Sequence, residues 1–181
     1  VTDYDTDPGV IHIGNLNGKS YSHTLQIDAT YPIFKGMTLT AAYRLNDVKA
    51  TYGGRLLEKP LTSKYKGLIT ASYKTPLGLW QFDATLQLNG GRMPDPYELP
   101  DGTMSWNKRF GSYEQLSAQI TRWFRHWSVY VGGENLTGFT QKTSIYGADN
   151  PWGTGFEPTL VWGPVHGRMF YAGVRINIGR M

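Results

Sequence analysis

Alternation of apolar and polar residues, kept up over whole runs, is what most limits the folds open to this chain. It occurs in seven stretches, and the clearest sets Trp80, Phe82, Ala84, Leu86 and Leu88 against Gln81, Asp83, Thr85, Gln87 and Asn89. Side chains of a strand point to opposite faces with period two, so each such strand separates an apolar medium from an aqueous one. No stretch carries a convincing helical period, and the predicted class is all-β.

The strands follow one another as a meander. Ser20 to Tyr31 puts Tyr21, His23, Leu25, Ile27, Ala29 and Tyr31 on one face, and the segment 32–36, with Pro32 and Gly36, is expected to turn the chain. The next strand alternates from Met37 and extends toward Tyr52; a loop with Gly53, Gly54 and Pro60 follows. Tyr65 to Tyr73 alternates with Leu68 as its one exception, and Thr75-Pro76-Leu77-Gly78 is a tight turn into the Trp80 strand. Residues 90–111 contain Pro94, Pro96 and Pro100 and read as a loop, because proline cannot donate to a central ladder. A fifth strand from Gln115 to Phe124 turns at Arg125 and His126 into a sixth beginning at Trp127; after a second long loop from Gly138 to about His166, Phe170 to Ile178 forms the seventh.

Short turns and long loops therefore fall on opposite sides. That segregation is the layout of an outer-membrane barrel, and about nine residues tilted by roughly 45° suffice to cross the hydrocarbon core. Tyr31, Phe34, Tyr73, Trp80, Phe124 and Trp127 gather at the short-turn ends and are expected to form an interfacial girdle. Alternation by itself also suits a soluble β-sandwich or lipocalin-like barrel; the loop segregation and the clustered aromatics favour the membrane. A mean hydropathy of −0.40 does not discriminate, since half of every barrel strand faces water. There is no apolar run long enough for a membrane helix, and the polar opening from Val1 to Asp5 does not read as a signal peptide. Seven strands leave the two ends on opposite sides and two edges open, so the chain is expected to be one part of a larger wall. The alternative makes Val10 to Leu16 an eighth strand, with Asn17-Gly18 as its hairpin turn, in a small closed barrel.

Three stretches resemble the C-terminal part of the TonB-dependent outer-membrane receptors, particularly those of Bacteroidota. Gly36 to Lys49 is similar to the family's upward strand after a periplasmic turn, the strand leading into Asn135-Leu136 to its penultimate strand, and Phe170 to Ile178 to its closing strand. The chain departs from the family after Ile178, where Gly179, Arg180 and Met181 stand in place of a terminal aromatic residue. The resemblance implies that residues 1–181 are the C-terminal segment of a barrel of about 22 strands, without the plug domain. It also implies a bacterial outer-membrane location and a role in nutrient uptake: import of a metal chelate such as siderophore iron, a cobalamin-like compound or an oligomeric nutrient. The implied partners are outer-membrane lipid, the remaining strands and plug of the same receptor or of a second chain, TonB acting through that plug, and a surface lipoprotein. The other reading is a structural one, in which a separate chain completes a split barrel or forms a small autonomous one.

No catalytic constellation is visible: there is no HExxH, GxSxG, phosphate-binding glycine loop or close carboxylate pair, and an enzyme is not expected. The absence of cysteine removes thiolate chemistry, the four histidines lack metal-ligand spacing, and no cofactor is implied. Lys and Arg outnumber Asp and Glu by 18 to 14 but form no basic run, which argues against nucleic acid. Arg44, Lys64, Lys66, Asp83, Glu134 and Arg175 are expected to face the lumen. Met93, Asp95, Tyr97, Asp101, Trp106, Tyr146, Asp149, Trp152 and Trp162, in the long outer loops, are the candidate substrate contacts.

Overall fold

The alternating stretches hydrogen-bond to one another in chain order. The computed structural model describes residues 2–3, 12–52, 54–59, 62–90, 111–141, 150–153, 156 and 162–177. Its strands are β1 (Thr2–Asp3), β2 (His12–Ile13), β3 (Ser20–Phe34), β4 (Met37–Tyr52), β5 (Arg55–Glu58), β6 (Tyr65–Lys74), β7 (Trp80–Asn89), β8 (Tyr113–Trp123), β9 (Trp127–Glu134) and β10 (Met169–Ile176). The main sheet is an antiparallel meander ordered β10-β9-β8-β7-β6-β4-β3, with β5 folded back on the far end of β4. The connections β3–β4, β6–β7 and β8–β9 are short and share one rim, and the longer ones share the other.

Register carries the two-faced pattern across the sheet. Ala29 pairs with Ala41, Ala41 with Ile69, Ile69 with Leu86 and Leu86 with Leu116, so apolar side chains follow one another from strand to strand. One position along, Thr30, Thr40, Thr70, Thr85 and Ser117 form a row of hydroxyls on the opposite face. Within that row Thr30 bonds Thr40 at 3.0 Å and Thr70 bonds Thr85 at 3.1 Å. Leu68 lies on the polar face, opposite Ala42 and Gln87, as its place in the sequence requires.

The described residues contain almost no apolar core. Ala50 is their only buried hydrophobic residue, whereas Ile27, Val174 and Phe170 are 67%, 61% and 74% exposed. The buried side chains are polar instead, with Ser128 1% and Asn135 3% exposed. A water-soluble sheet packs its apolar face against a second layer; here that face is bare.

Three local features differ from the sequence reading. β3 runs on through Pro32 to Phe34, with a bulge between those two residues, where a turn was expected. It lies at the edge of the sheet, where proline's missing N–H deprives no neighbour of a bond. β5 lies where the sequence predicts a loop, because four residues are too few to show a period; Tyr52 pairs there with Arg55. The eight-strand alternative is not what forms: His12–Ile13 pairs with Thr2–Asp3 and not with β3. Nor does Gly18 head a hairpin. It lies against Thr51, where Lys19 N–H donates to Thr51 Oγ1 at 3.0 Å and Thr51 N–H to the Lys19 carbonyl at 3.0 Å.

Two tyrosines tie β9 to β10. Tyr171 stands opposite Gly132 and lies across it to donate to Gln119 Oε1 on β8 at 3.1 Å, while Tyr130 lies across Gly173. The two rings meet edge to face at 6.2 Å. A side chain at either glycine would occupy the tyrosine's place, so Gly173→Val is expected to destabilise the folded protein by about 1–3 kcal/mol. Urea unfolding in lipid micelles tests this, with Ala172→Val on the opposite face as the comparison that stays near wild type.

Candidate functional site

The exposed apolar face is bounded at the short-turn rim by a line of aromatic contacts. Phe34 meets Tyr73 at 5.7 Å, Tyr73 stacks on Phe82 at 6.3 Å, and Phe82 on Trp80 at 6.4 Å. The Arg122 guanidinium then lies 4.9 Å from the Trp80 ring and 5.5 Å from that of Phe124, which stacks on Trp127 at 4.1 Å. The line thus runs from β3 to β9. Tyr31 stands on the same face of β3, opposite Leu39 and 67% exposed. Toward the other rim Tyr43 stacks on Tyr65 at 6.2 Å; beyond them the same face turns polar, with Tyr21 donating to Asp47 Oδ2 at 3.1 Å and His23 beside Tyr21. From Leu25 to Phe34 the apolar part of β3 is about 30 Å long.

The opposite face is a hydrogen-bonded polar wall. Arg44 Nε donates to Gln26 Oε1 at 2.8 Å, and Lys66 and Asn89 continue that row. Nearer the short turns Asp83 accepts from Ser72 at 2.6 Å and from Gln81 at 3.0 Å, and Gln81 Oε1 accepts from Trp123 Nε1 at 3.3 Å. Lys74 lies 5.6 Å from the Trp123 ring. Arg175 stands opposite Ser128, and Glu134, exposed, opposite Met169. Lys64, just before β6, pairs with Glu58 at 3.4 Å. The expected set of Arg44, Lys64, Lys66, Asp83, Glu134 and Arg175 thus has most of its members on this face in register, but it is not a network of ion pairs. Among the described residues Arg44 and Asp83 bond neutral amides and a hydroxyl, and Lys64 alone of the set is paired with a carboxylate.

At the long-loop rim one side chain ties the ends of β8, β9 and β10 together. Asn135 adopts φ = +50° and its buried amide donates to the carbonyls of Phe139 at 2.7 Å and His166 at 3.0 Å. Thr137 Oγ1 donates to the Glu114 carbonyl at 2.8 Å and to Asn135 Oδ1 at 3.2 Å, and Arg168 Nε donates to the Leu136 carbonyl at 2.9 Å. Above this knot Tyr113 stacks on Phe139 at 4.7 Å, and Trp162 stands edge-on to Tyr113 with its Nε1 donating to the Gly111 carbonyl at 3.1 Å. Gln141 Oε1 accepts from the backbone N–H groups of Trp162 and Gly163, each at 2.7 Å. The sequence marks Asn135-Leu136 as a motif at a strand end; its work as a tie between loop bases needed the fold to be seen.

Of the candidate substrate contacts, Met93, Asp95, Tyr97, Asp101, Trp106, Tyr146 and Asp149 lie outside the described residues. Trp162 is held in the rim structure, and Trp152 is free of it and 97% exposed. The residue that sequence reasoning missed is Arg122, a charge on the apolar face; a cation there breaks the alternation and gave no signal of its aromatic surroundings. Among the described residues, no cluster of three or more His, Asp or Glu could hold a metal. Comparison with family models, with curated proteins and with solved structures finds no match.

Asn135 is the side chain on which the loop bases most depend. Asn135→Ala leaves carbonyls without their donor and puts alanine at positive φ, so a loss of about 1–3 kcal/mol is expected, with faster proteolysis at both loop bases. Unaltered unfolding and cleavage would show the tie to be dispensable.

Proposed function

We propose that this chain is part of the wall of an outer-membrane β-barrel, and that the barrel is a TonB-dependent receptor importing a nutrient. The observation that carries the wall reading is a single-layer sheet whose face rich in Leu, Ile, Val and aromatic residues has no second layer packed on it among the described residues, while polar side chains on the other face, also largely open, bond to one another. In water each large apolar side chain left bare forgoes about 1.5–3 kcal/mol, and patches far beyond a few hundred Å² are not tolerated on monomers. In lipid the same face is at rest. The aromatic line at one rim has the make-up of an interfacial girdle, and the segregation of turns from loops is that expected between the periplasmic and outer sides of such barrels.

The receptor reading rests on the resemblance of the stretches around Gly36 to Lys49, Asn135-Leu136 and Phe170 to Ile178. On it, the polar face lines the lumen and contacts a plug, and the long loops receive a metal chelate, cobalamin-like compound or oligomeric nutrient. The structural alternative stays beside it, because β3 and β10 have free outer edges among the described residues, which one polypeptide or two could cover. Unpaired backbone groups in hydrocarbon cost several kcal/mol each, so further strands must close the wall. They belong to the same polypeptide or to a second chain. Intact mass under denaturing conditions separates these, a much larger polypeptide meaning the first.

Membrane placement is tested by single cysteines, which have no background in this segment because it contains none. Ile27→Cys, Phe82→Cys and Val174→Cys, nitroxide-labelled in detergent before reconstitution into bilayers, are expected to be accessible to oxygen and shielded from a water-soluble nickel chelate. Equal accessibility to the nickel chelate would remove the wall reading. Transport is tested by uptake of labelled iron–siderophore and cobalamin into cells carrying the whole receptor, where a protonophore should abolish accumulation. Trp106→Ala with Trp152→Ala should reduce uptake at unchanged receptor abundance; unchanged uptake would exclude them as ligand contacts.

A further inference from the structure

We propose that Arg122 and the rings beside it form a binding site for the phosphate of an anionic glycerophospholipid, at the rim where the short turns lie. The inference rests on the wall reading and adds to it a chemical preference of one part of the surface. Arg122 stands on the apolar face, opposite Trp80 on one side and Val129 on the other. Its guanidinium lies over the rings of Trp80 and Phe124, a placement that fixes the cation against the wall and removes part of its hydration. No described residue supplies it with a carboxylate or a hydrogen-bond acceptor. Among the described residues its five N–H donors therefore find no acceptor.

Aromatic belts mark headgroup level, and the abundant acceptor there is lipid phosphate, which a guanidinium meets with two parallel hydrogen bonds. The surrounding charge favours an anion. The turns of this rim contribute Lys35 and Arg125, and residues 34–36, 75–79 and 124–126 contain no Asp or Glu. The acids on the same face as Arg122, namely Asp47, Glu58 and Glu114, lie toward the opposite rim, and Asp83 is on the other face, held by Ser72 and Gln81. A zwitterionic headgroup would bring its own cation into this field. A headgroup with net negative charge would not, so phosphatidylglycerol is the expected occupant.

The test uses the full outer-membrane protein that carries this chain, reconstituted in nanodiscs of phosphatidylcholine with a minor share of phosphatidylglycerol. Lipids retained on the released protein are identified by native mass spectrometry. Phosphatidylglycerol is expected to be enriched about fivefold over its bulk share. Arg122→Gln should return the ratio to bulk, Arg122→Lys should keep part of the enrichment, and Lys49→Gln at the other rim should leave it unchanged. Bulk composition on the wild-type protein, or full enrichment in Arg122→Gln, overturns the proposal; so does displacement by millimolar inorganic phosphate, which would mark a site for free anions. If Arg122→Gln does not fold, the comparison with Arg122→Lys decides, equal enrichment in the two proteins counting against bidentate recognition. A protein that fails to enter the bilayer would refute the wall reading itself, whereas entry without enrichment refutes only this site.

Discussion

Strand register is the constraint on which the rest of this structure depends. Because side chains alternate with period two, a slip of one residue between any two neighbours would place apolar side chains in the polar wall and hydroxyls on the apolar face. The sheet has little else to hold it. With almost no apolar core among the described residues, order is fixed by ladder hydrogen bonds and by pairs that make sense in one register alone. The Thr30 to Ser117 hydroxyl row and the Ala29 to Leu116 apolar row are two readings of that same alignment, one for each face.

The position of the strands was legible because alternation is a local property of the chain, written into each segment without reference to the others. That is why the faces of β4, β6, β7 and β9 could be assigned residue by residue. The errors have the same origin. Pro32 signals a turn wherever its neighbours are unknown, and only the knowledge that β3 lies at an edge makes a strand through it acceptable. β5 is stabilised by pairing with β4 and has too few residues to announce itself. Arg122 was invisible for a different reason: a single charge on an apolar face is an exception to the pattern that revealed the fold, and its explanation lies in rings from β7 and the turn before β9.

The two rims differ in construction as well as in loop length. At one, rings from successive strands touch along the apolar face and the turns are only long enough to reverse the chain. At the other, Asn135, Thr137, Gln141 and Arg168 bind backbone from distant parts of the sequence into a shared base. The first arrangement fits a surface immersed in a layered solvent. The second provides a rigid footing from which long connections depart, as binding loops on a fixed scaffold require.

The crossed tyrosines of β9 and β10 have a consequence for how this sequence can change. Tyr171 needs the bare backbone of Gly132 beneath it, and Tyr130 needs that of Gly173. Neither glycine can acquire a side chain by drift unless the facing ring shrinks or is lost first, and a ring that shrinks leaves a gap a former glycine can fill. Each pair therefore changes as a unit or not at all, and the two pairs touch through their rings. Selection acting on β9 is thereby felt on β10, so that two segments well separated in sequence inherit each other's substitutions.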